Sequence, residues 1–414
     1  MRKNLGRIYH VLGGSQPRFL RLLFAWVAWA ATLALTFDLK VSALASGHFR
    51  ENRFKIGFRF SAWIVQYSWL SRPVAYDPMF VCSLFLEPED LEALARFVQR
   101  RSPFAENFLV SSDLACIYGA LAQFALLNGH IEQFQAWRAD HAEAMSEGLQ
   151  LVHGVGPRRR RLAEEVGRRG RVVLPASADS AIEDFASACN SIRLRWFAVS
   201  GTFLGVVREK DWIAHDYDID VGVMGNTFSL SALINALTSK GQFRIIKVDD
   251  QVRFFGPDDA LNIEEVPACL KLEHRNGVPV DVFIHYNQGD VHWHGSSMNR
   301  WDNSLFELSE YSFRGFNILG PSDYDRYLTE NYGSDWRVPR VDFHSTDGSG
   351  TPNLVLVKNL VILGICLKRL SCVDERTRRH IAGMMLELDA IEVKDGGWVY
   401  NKGFCSRPAA VQSD

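Results

Sequence analysis

Between Ser200 and Val223 the chain reads SGTFLGVVREKDWIAHDYDIDVGV, and near its end Asp218 and Asp220 alternate with Ile219 and Val221. A period of two marks a half-buried strand, so Asp218 and Asp220 project from one face while Ile219, Val221 and Val223 enter a core. Carboxylates side by side on an apolar strand repel each other, and the arrangement is tolerated where a cation sits between them. Upstream, RLRWFAVS (Arg193–Ser200) reads as a second strand, closed by Gly201-Thr202, with FLGVVRE starting a helix. A strand that runs through Gly-Thr into a helix is expected to turn backbone N–H groups toward phosphate oxygens, with Arg208 as a fork-shaped donor. Downstream, Asp281 lies between Val280 and Val282 in PVDVFIHY and can stand on the same side of a neighbouring strand. Together these residues predict a site for Mg²⁺ or Mn²⁺ and a phosphate-bearing substrate.

The surrounding pattern alternates helix and strand. Ser180 and Glu183 read as a capping box opening a helix that runs to about Ser191, and TFSLSALINALTSKG (Thr227–Gly241) reads as another helix ended by glycine. FRIIKV, VRFFG, CLKLEHR and VPVDVFIHY read as short strands, with Asn276-Gly277 as a hairpin turn. The predicted fold class is therefore α/β with a mixed sheet, preceded by a helical accessory region. In that region, Glu87–Arg101 and Asp113–Trp137 have helical periodicity, and Asn128-Gly129 breaks the second. The expected divisions are an N-terminal basic and apolar segment (1–48), the helical region (49–155), a basic linker (156–175), the catalytic domain (176–345), and a helical C-terminal segment with a tail (346–414). In the last of these, NLVILGICLKRL reads as an amphipathic core helix.

Composition narrows the partners. A net charge of −2 gives no global basic field, and nucleic acid is not an expected partner. Seven cysteines, scattered and without a CxxC pair, fit reduced thiols better than a disulfide framework or a zinc finger. The run Leu22–Phe37 carries no charge and follows several arginines. As a helix it would span about 24 Å, short of the roughly 30 Å hydrocarbon layer. The expected location is cytoplasmic and peripheral at the membrane, with Arg158–Arg161 adding contact to an anionic surface. The alternative is a single-pass anchor with the catalytic domain on the lumenal side.

The Gly-Thr turn, the D-h-D strand and the later aspartate resemble the nucleotidyltransferase superfamily. More narrowly, GTFLGVVREKDWIAHDYDID is similar to the signature of the LicD and fukutin-type family, and PSDYDRYLTENYGSDWRVPR (Pro321–Arg340) resembles that family's closing segment with one extra residue, Ser334. The resemblance extends over about Ser177–Arg340. It implies transfer of a polyol-phosphate or phosphocholine from a CDP-activated donor to a sugar hydroxyl, as in surface polysaccharide or lipopolysaccharide synthesis, with a divalent metal. By position, Asp218 and Asp220 match the family's metal pair, Asp216 an additional acid expected beside them on the metal, and Asp281 the third acid, which is expected to take the proton from the attacking hydroxyl; His215 stands where many members carry tryptophan. Transfer of the nucleotidyl group itself, or an inert glycan-binding module, are the competing readings. His285, His292 and His294 are either a zinc cluster or substrate-side and surface histidines; Trp293 and Trp301 either stack on a ring or pack internally. Asp323-Tyr324-Asp325 is a second DxD, but it opens a helix, where i and i+2 do not share a face.

Overall fold

The computed structural model describes residues 88–101, 107–152, 175–214, 216–256, 261–296, 299–340, 343, 345, 351–370 and 375–406. The 22–37 run, the Arg158–Arg161 cluster, most of the basic linker and His215 lie outside the described residues. The chain forms two compact units, neither continuous in sequence. One comprises 1–160, 253–264 and 358–414; the other comprises 161–252 and 265–357.

The first unit is mainly helical: α1 (Pro88–Arg101), α2 (Asn107–Leu127), α3 (Ile131–Val152), α8 (Leu360–Leu370) and α9 (Glu375–Glu387). The hairpin between α2 and α3 turns at Asn128-Gly129 as the sequence suggested, with Gly129 at φ 73°. The expected amphipathic helix of Asn359–Leu370 differs from its reading, because within α8 every residue except Arg369 is buried. It is the central helix of this unit. Gly119 on α2 and Gly364 on α8 allow the contact, since a Cβ on Gly119 would lie 2.9 Å from the Leu360 carbonyl carbon and one on Gly364 2.7 Å from the Cys116 nitrogen. The buried ammonium of Lys368 is neutralised by Asp113 at 2.6 Å. His141 donates from Nε2 to the Leu360 carbonyl (2.9 Å), and burial lowers its pKa to about 4. The C-terminal segment is not wholly helical: β11 (Ile391–Lys394) and β12 (Gly397–Tyr400) form an antiparallel hairpin. Among the described residues, Val110–Leu127 is a helix long and apolar enough to cross a membrane, and most of it is buried inside the unit.

The second unit is the mixed α/β structure the sequence predicted. Its sheet runs β1 (Trp196–Ala198), β2 (Ile219–Met224), β5 (Pro279–Gln288), β6 (Val291–Gly295), β7 (Asn299–Ser304), β10 (Leu354–Leu356); β4 (Asn262–His274) also pairs with β5, and β3 (Phe243–Phe255) with β4. β2 and β5 are parallel, while β1 and β4 are antiparallel to their neighbours. Helices α4 (Pro175–Ser191) and α6 (Leu230–Thr238) cover it, burying Ile182, Phe185 and Leu233 with Phe197, Val221 and Val282. α4 begins before the expected capping box, so Ser180 lies inside the helix and its hydroxyl donates to the Ser177 carbonyl. FRIIKV and VRFFG are one strand, β3. Of the polar residues between them, Asp249 and Gln251 belong to its buried face: Asp249 pairs with Lys247, and Gln251 donates to the Ser296 carbonyl. β8 (Leu308–Phe313) and β9 (Phe316–Pro321) form a separate hairpin, and α7 (Tyr324–Tyr332) follows. The five described cysteines, Cys116, Cys189, Cys269, Cys366 and Cys405, are buried.

Candidate active site

The site forms where β1 stops and the chain turns into α5 (Ser200–Leu204). Ser200 makes the turn with a left-handed φ of 46°, a conformation unfavourable for a residue with a Cβ. Gly201 is crowded from the carboxylate side. An added Cβ would stand 2.4 Å from an Asp216 carboxylate oxygen, and the Asp220 carboxylate is 3.5 Å away.

β2 is held against this turn from both directions. The Val199 N–H donates to the Asp220 carbonyl (3.3 Å), continuing the β1–β2 ladder. Beyond that point the backbone has become helical and offers the strand no further acceptor. The Thr202 hydroxyl takes over, accepting from the Asp220 N–H at 2.8 Å, and the Gly201 N–H donates to Asp220 Oδ2 at 3.2 Å. Thus the Gly-Thr pair expected to face phosphate also fixes the Asp220 backbone and carboxylate. Past Leu204 the helix widens into a π turn, Gly205–Glu209. Arg208, expected on an anion, donates from Nη1 to the Trp336 carbonyl (3.0 Å) and from Nε to Glu209 (2.7 Å).

Parallel pairing sets Asp220 of β2 opposite Asp281 of β5. Asp218, Asp220 and Asp281 each offer a carboxylate oxygen, all within 4.8 Å of one another, the only such group of metal-binding side chains among the described residues. Burial is the largest cause of the raised pKa values. Asp218 is pushed up to about 8, with Asp216 and Asp281 adding repulsion. Asp220 is raised well above the carboxylate range by burial and then by Asp218, Asp216 and Asp281, and the Gly201 N–H only partly opposes this. Asp281 is raised by burial against the opposing pull of Lys271. Three converging hard oxygen donors, costly to ionise together, fit a divalent cation of the Mg²⁺ or Mn²⁺ type.

Two further residues border the site. Lys271 on β4 ion-pairs with Asp281. The β4–β5 turn is three residues long, Arg275 to Gly277, closed by the His274 N–H donating to the Val278 carbonyl, and this sets Lys271 opposite Asp281, whereas a two-residue Asn276-Gly277 turn would have set Leu272 there. The closing segment brings Tyr332, whose phenol is raised by burial and by Asp220 and Asp216, and lowered by Arg208. Other sequence candidates have internal roles. Asp323 caps α7 by accepting from the Arg326 N–H, and Asp325 accepts from Trp336 Nε1 at 3.1 Å. His285, His292 and His294 are buried, not surface residues. The rings of His285 and His294 stack at 4.4 Å, and His292 Nδ1 accepts from the Phe306 N–H. Trp293 stacks on Tyr286 and Trp301 on His294, inside the sheet's packing.

Residues 193–323 match the family described as LicD/FKTN/FKRP, nucleotidyltransferase domain. They are a LicD-type nucleotidyltransferase domain. The matched span holds Gly201, Thr202, Arg208, the Asp216–Asp220 run and Asp281. Among curated relatives, the ribitol-5-phosphate transferase FKTN of Homo sapiens is 25% identical over 177 residues, covering 41% of this chain and 35% of that protein. The protein of the same name from Mus musculus is 22% identical over 176 residues, with coverage of 41% and 35%. The match spans about a third of the length of these relatives. The closing segment around Tyr332 and Trp336 falls just beyond the span assigned to the LicD-type domain.

Proposed function

We propose that the protein is a metal-dependent phosphotransferase that moves a polyol-phosphate or phosphocholine group from a CDP-activated donor to a sugar hydroxyl during glycan synthesis. The observation that carries this is the convergence of Asp218, Asp220 and Asp281 within 4.8 Å, across two parallel strands of a LicD-type domain. The relatives named as ribitol-5-phosphate transferases favour a polyol-phosphate head group over phosphocholine.

Asp218, Asp220 and Asp281 would hold the metal, with Asp216 completing the negative rim. The metal, when bound, supplies charge neutralisation for the donor's pyrophosphate. The chain's own residues set the geometry. Thr202 and Gly201 hold Asp220 in place, and the turn at Ser200–Thr202 with Arg208 forms the side on which we place the donor phosphates. Asp281 is the proposed acceptor of the attacking hydroxyl's proton. The residues 22–37 are proposed to attach the protein to a membrane. The peripheral form of that attachment has no support among the described residues, and extraction with alkaline carbonate separates a surface helix from a spanning one.

The decisive experiment incubates the full chain with CDP-linked polyol and choline donors, a glycan acceptor and Mg²⁺ or Mn²⁺. Release of CMP with a phosphodiester-linked product is expected. Release of pyrophosphate from a nucleoside triphosphate instead would establish nucleotidyl transfer, and no turnover with any donor would leave a binding module.

A further inference from the structure

We propose that Lys271 is an internal stand-in for the metal, holding Asp281 while the site contains no divalent cation and passing its ammonium to the donor's phosphates when a cation binds. This role rests on the phosphotransferase reading of the site.

Three observations lead to it. First, strand register places Asp281 between Asp220 on β2 and Lys271 on β4, so the carboxylate has a metal-pair partner on one side and a cation on the other. Second, the ammonium contacts Asp281 Oδ2, on the same carboxylate that belongs to the Asp218, Asp220 and Asp281 group. Ammonium and metal therefore compete for one carboxylate. Third, the two partners differ in freedom. The Asp281 side chain is 12% exposed and the Lys271 side chain 39% exposed, so the lysine stem reaches in from the solvent side. Asp249, the other acid acting on this pair, already has Lys247 as its ion-pair partner. A lysine displaced from Asp281 stays at the edge of the site, where the incoming donor brings a pyrophosphate. A compact, flexible ammonium suits that transfer between oxyanions.

A purely structural salt bridge and a metal stand-in respond with opposite sign when the lysine charge is removed. Lys271→Met and Lys271→Gln, made in the full chain, should bind Mn²⁺ alone at least about tenfold more tightly than wild type, because a competing positive charge has gone from contact distance. The same variants, with Mn²⁺ saturating, should bind CDP about tenfold more weakly, and Lys271→Arg should retain most CDP affinity. Metal-free melting temperatures should fall in Lys271→Met and recover with Mn²⁺ by more than wild type does. Calorimetry with Mn²⁺ and CDP reads the first two effects and a thermal melt the third. Wild-type Mn²⁺ affinity in both neutral variants would overturn the proposal, as would unchanged CDP affinity. If wild type itself binds no Mn²⁺, the phosphotransferase reading fails before Lys271 is tested.

Discussion

Thr202→Val tests whether a side chain replaces the missing backbone at the end of β1. Valine matches threonine in shape, so the substitution removes one oxygen and leaves packing unchanged. The Thr202 hydroxyl is buried and accepts from the Asp220 N–H at 2.8 Å, so the variant leaves that N–H without its partner at the edge of an apolar strand. An orphaned buried donor costs about 1–3 kcal/mol. At roughly 2–4 °C per kcal/mol for a domain of this size, the melting temperature should drop by about 4–8 °C for a central cost of about 2 kcal/mol. Thr202→Ser keeps the acceptor and loses one methyl, costing about 1 kcal/mol. Stability alone separates the two variants weakly, and metal affinity separates them clearly. Because the same backbone carries the Asp220 carboxylate, Thr202→Val should weaken Mn²⁺ binding several-fold while Thr202→Ser leaves it near wild type. Urea denaturation in EDTA and Mn²⁺ calorimetry provide both readouts. A Thr202→Val protein with wild-type Mn²⁺ affinity and a loss below about 0.5 kcal/mol would refute the role assigned to the hydroxyl.

Gly201→Ala would push the Asp216 carboxylate aside, so Mn²⁺ binding, read by calorimetry, should weaken modestly in a protein whose far-ultraviolet dichroism is unchanged. Asp218→Asn and Asp220→Asn should abolish transfer, a loss of several kcal/mol in transition-state stabilisation, with single-turnover rates as the check. For pH, the metal-free Asp218 is raised from 3.8 to about 8, so its contribution to stability is full below about pH 4 and is lost as pH rises toward 8. Denaturation in EDTA should therefore show a weaker protein at pH 8 than at pH 5, reversed by Mn²⁺ at pH 8; equal stability at both would contradict the burial of these acids. In the helical unit, Lys368→Met strands the buried Asp113 carboxylate and should cost about 3–5 kcal/mol, measured by urea denaturation, whereas Lys368→Met with Asp113→Leu should recover most of it.

The parts of the site that were legible in the sequence are those with strict local periodicity. Alternation exposed Asp218 and Asp220, flanking valines exposed Asp281, and Asn276-Gly277 marked the β4–β5 hairpin, while its register, and with it Lys271, depended on a turn one residue longer than the dipeptide suggests. Where polar side chains face inward, periodicity misled. Asp249 and Gln251 sit on the buried face of β3 because Lys247 and the Ser296 carbonyl satisfy them, and those partners lie on the same strand or far along the chain. The role of Thr202 was hidden for a related reason. A Gly-Thr turn looks the same in sequence whether its hydroxyl meets a phosphate or the next strand's N–H. α8 was legible as a core helix but not as one buried on nearly every side, because Lys368 resembled part of a polar face and the neutralising Asp113 lies 255 residues away.

The discontinuous make-up of the helical unit has a consequence for how the protein is born. α2 and α3 leave the ribosome early, but α8, which they bury, begins at Leu360, with 360 − 127 = 233 residues of synthesis after Leu127. At about 5–20 residues per second that interval is on the order of ten seconds or longer. Throughout it the apolar face of α2 is uncovered and Asp113 has no counter-charge. The α/β unit, whose last segment ends at Val357, is fully synthesised first although it begins later in the chain. A nonsense mutation just after Val357 would thus yield a polypeptide retaining every carboxylate of the candidate site, yet exposing an aggregation-prone hairpin that no completed helix arrives to cover.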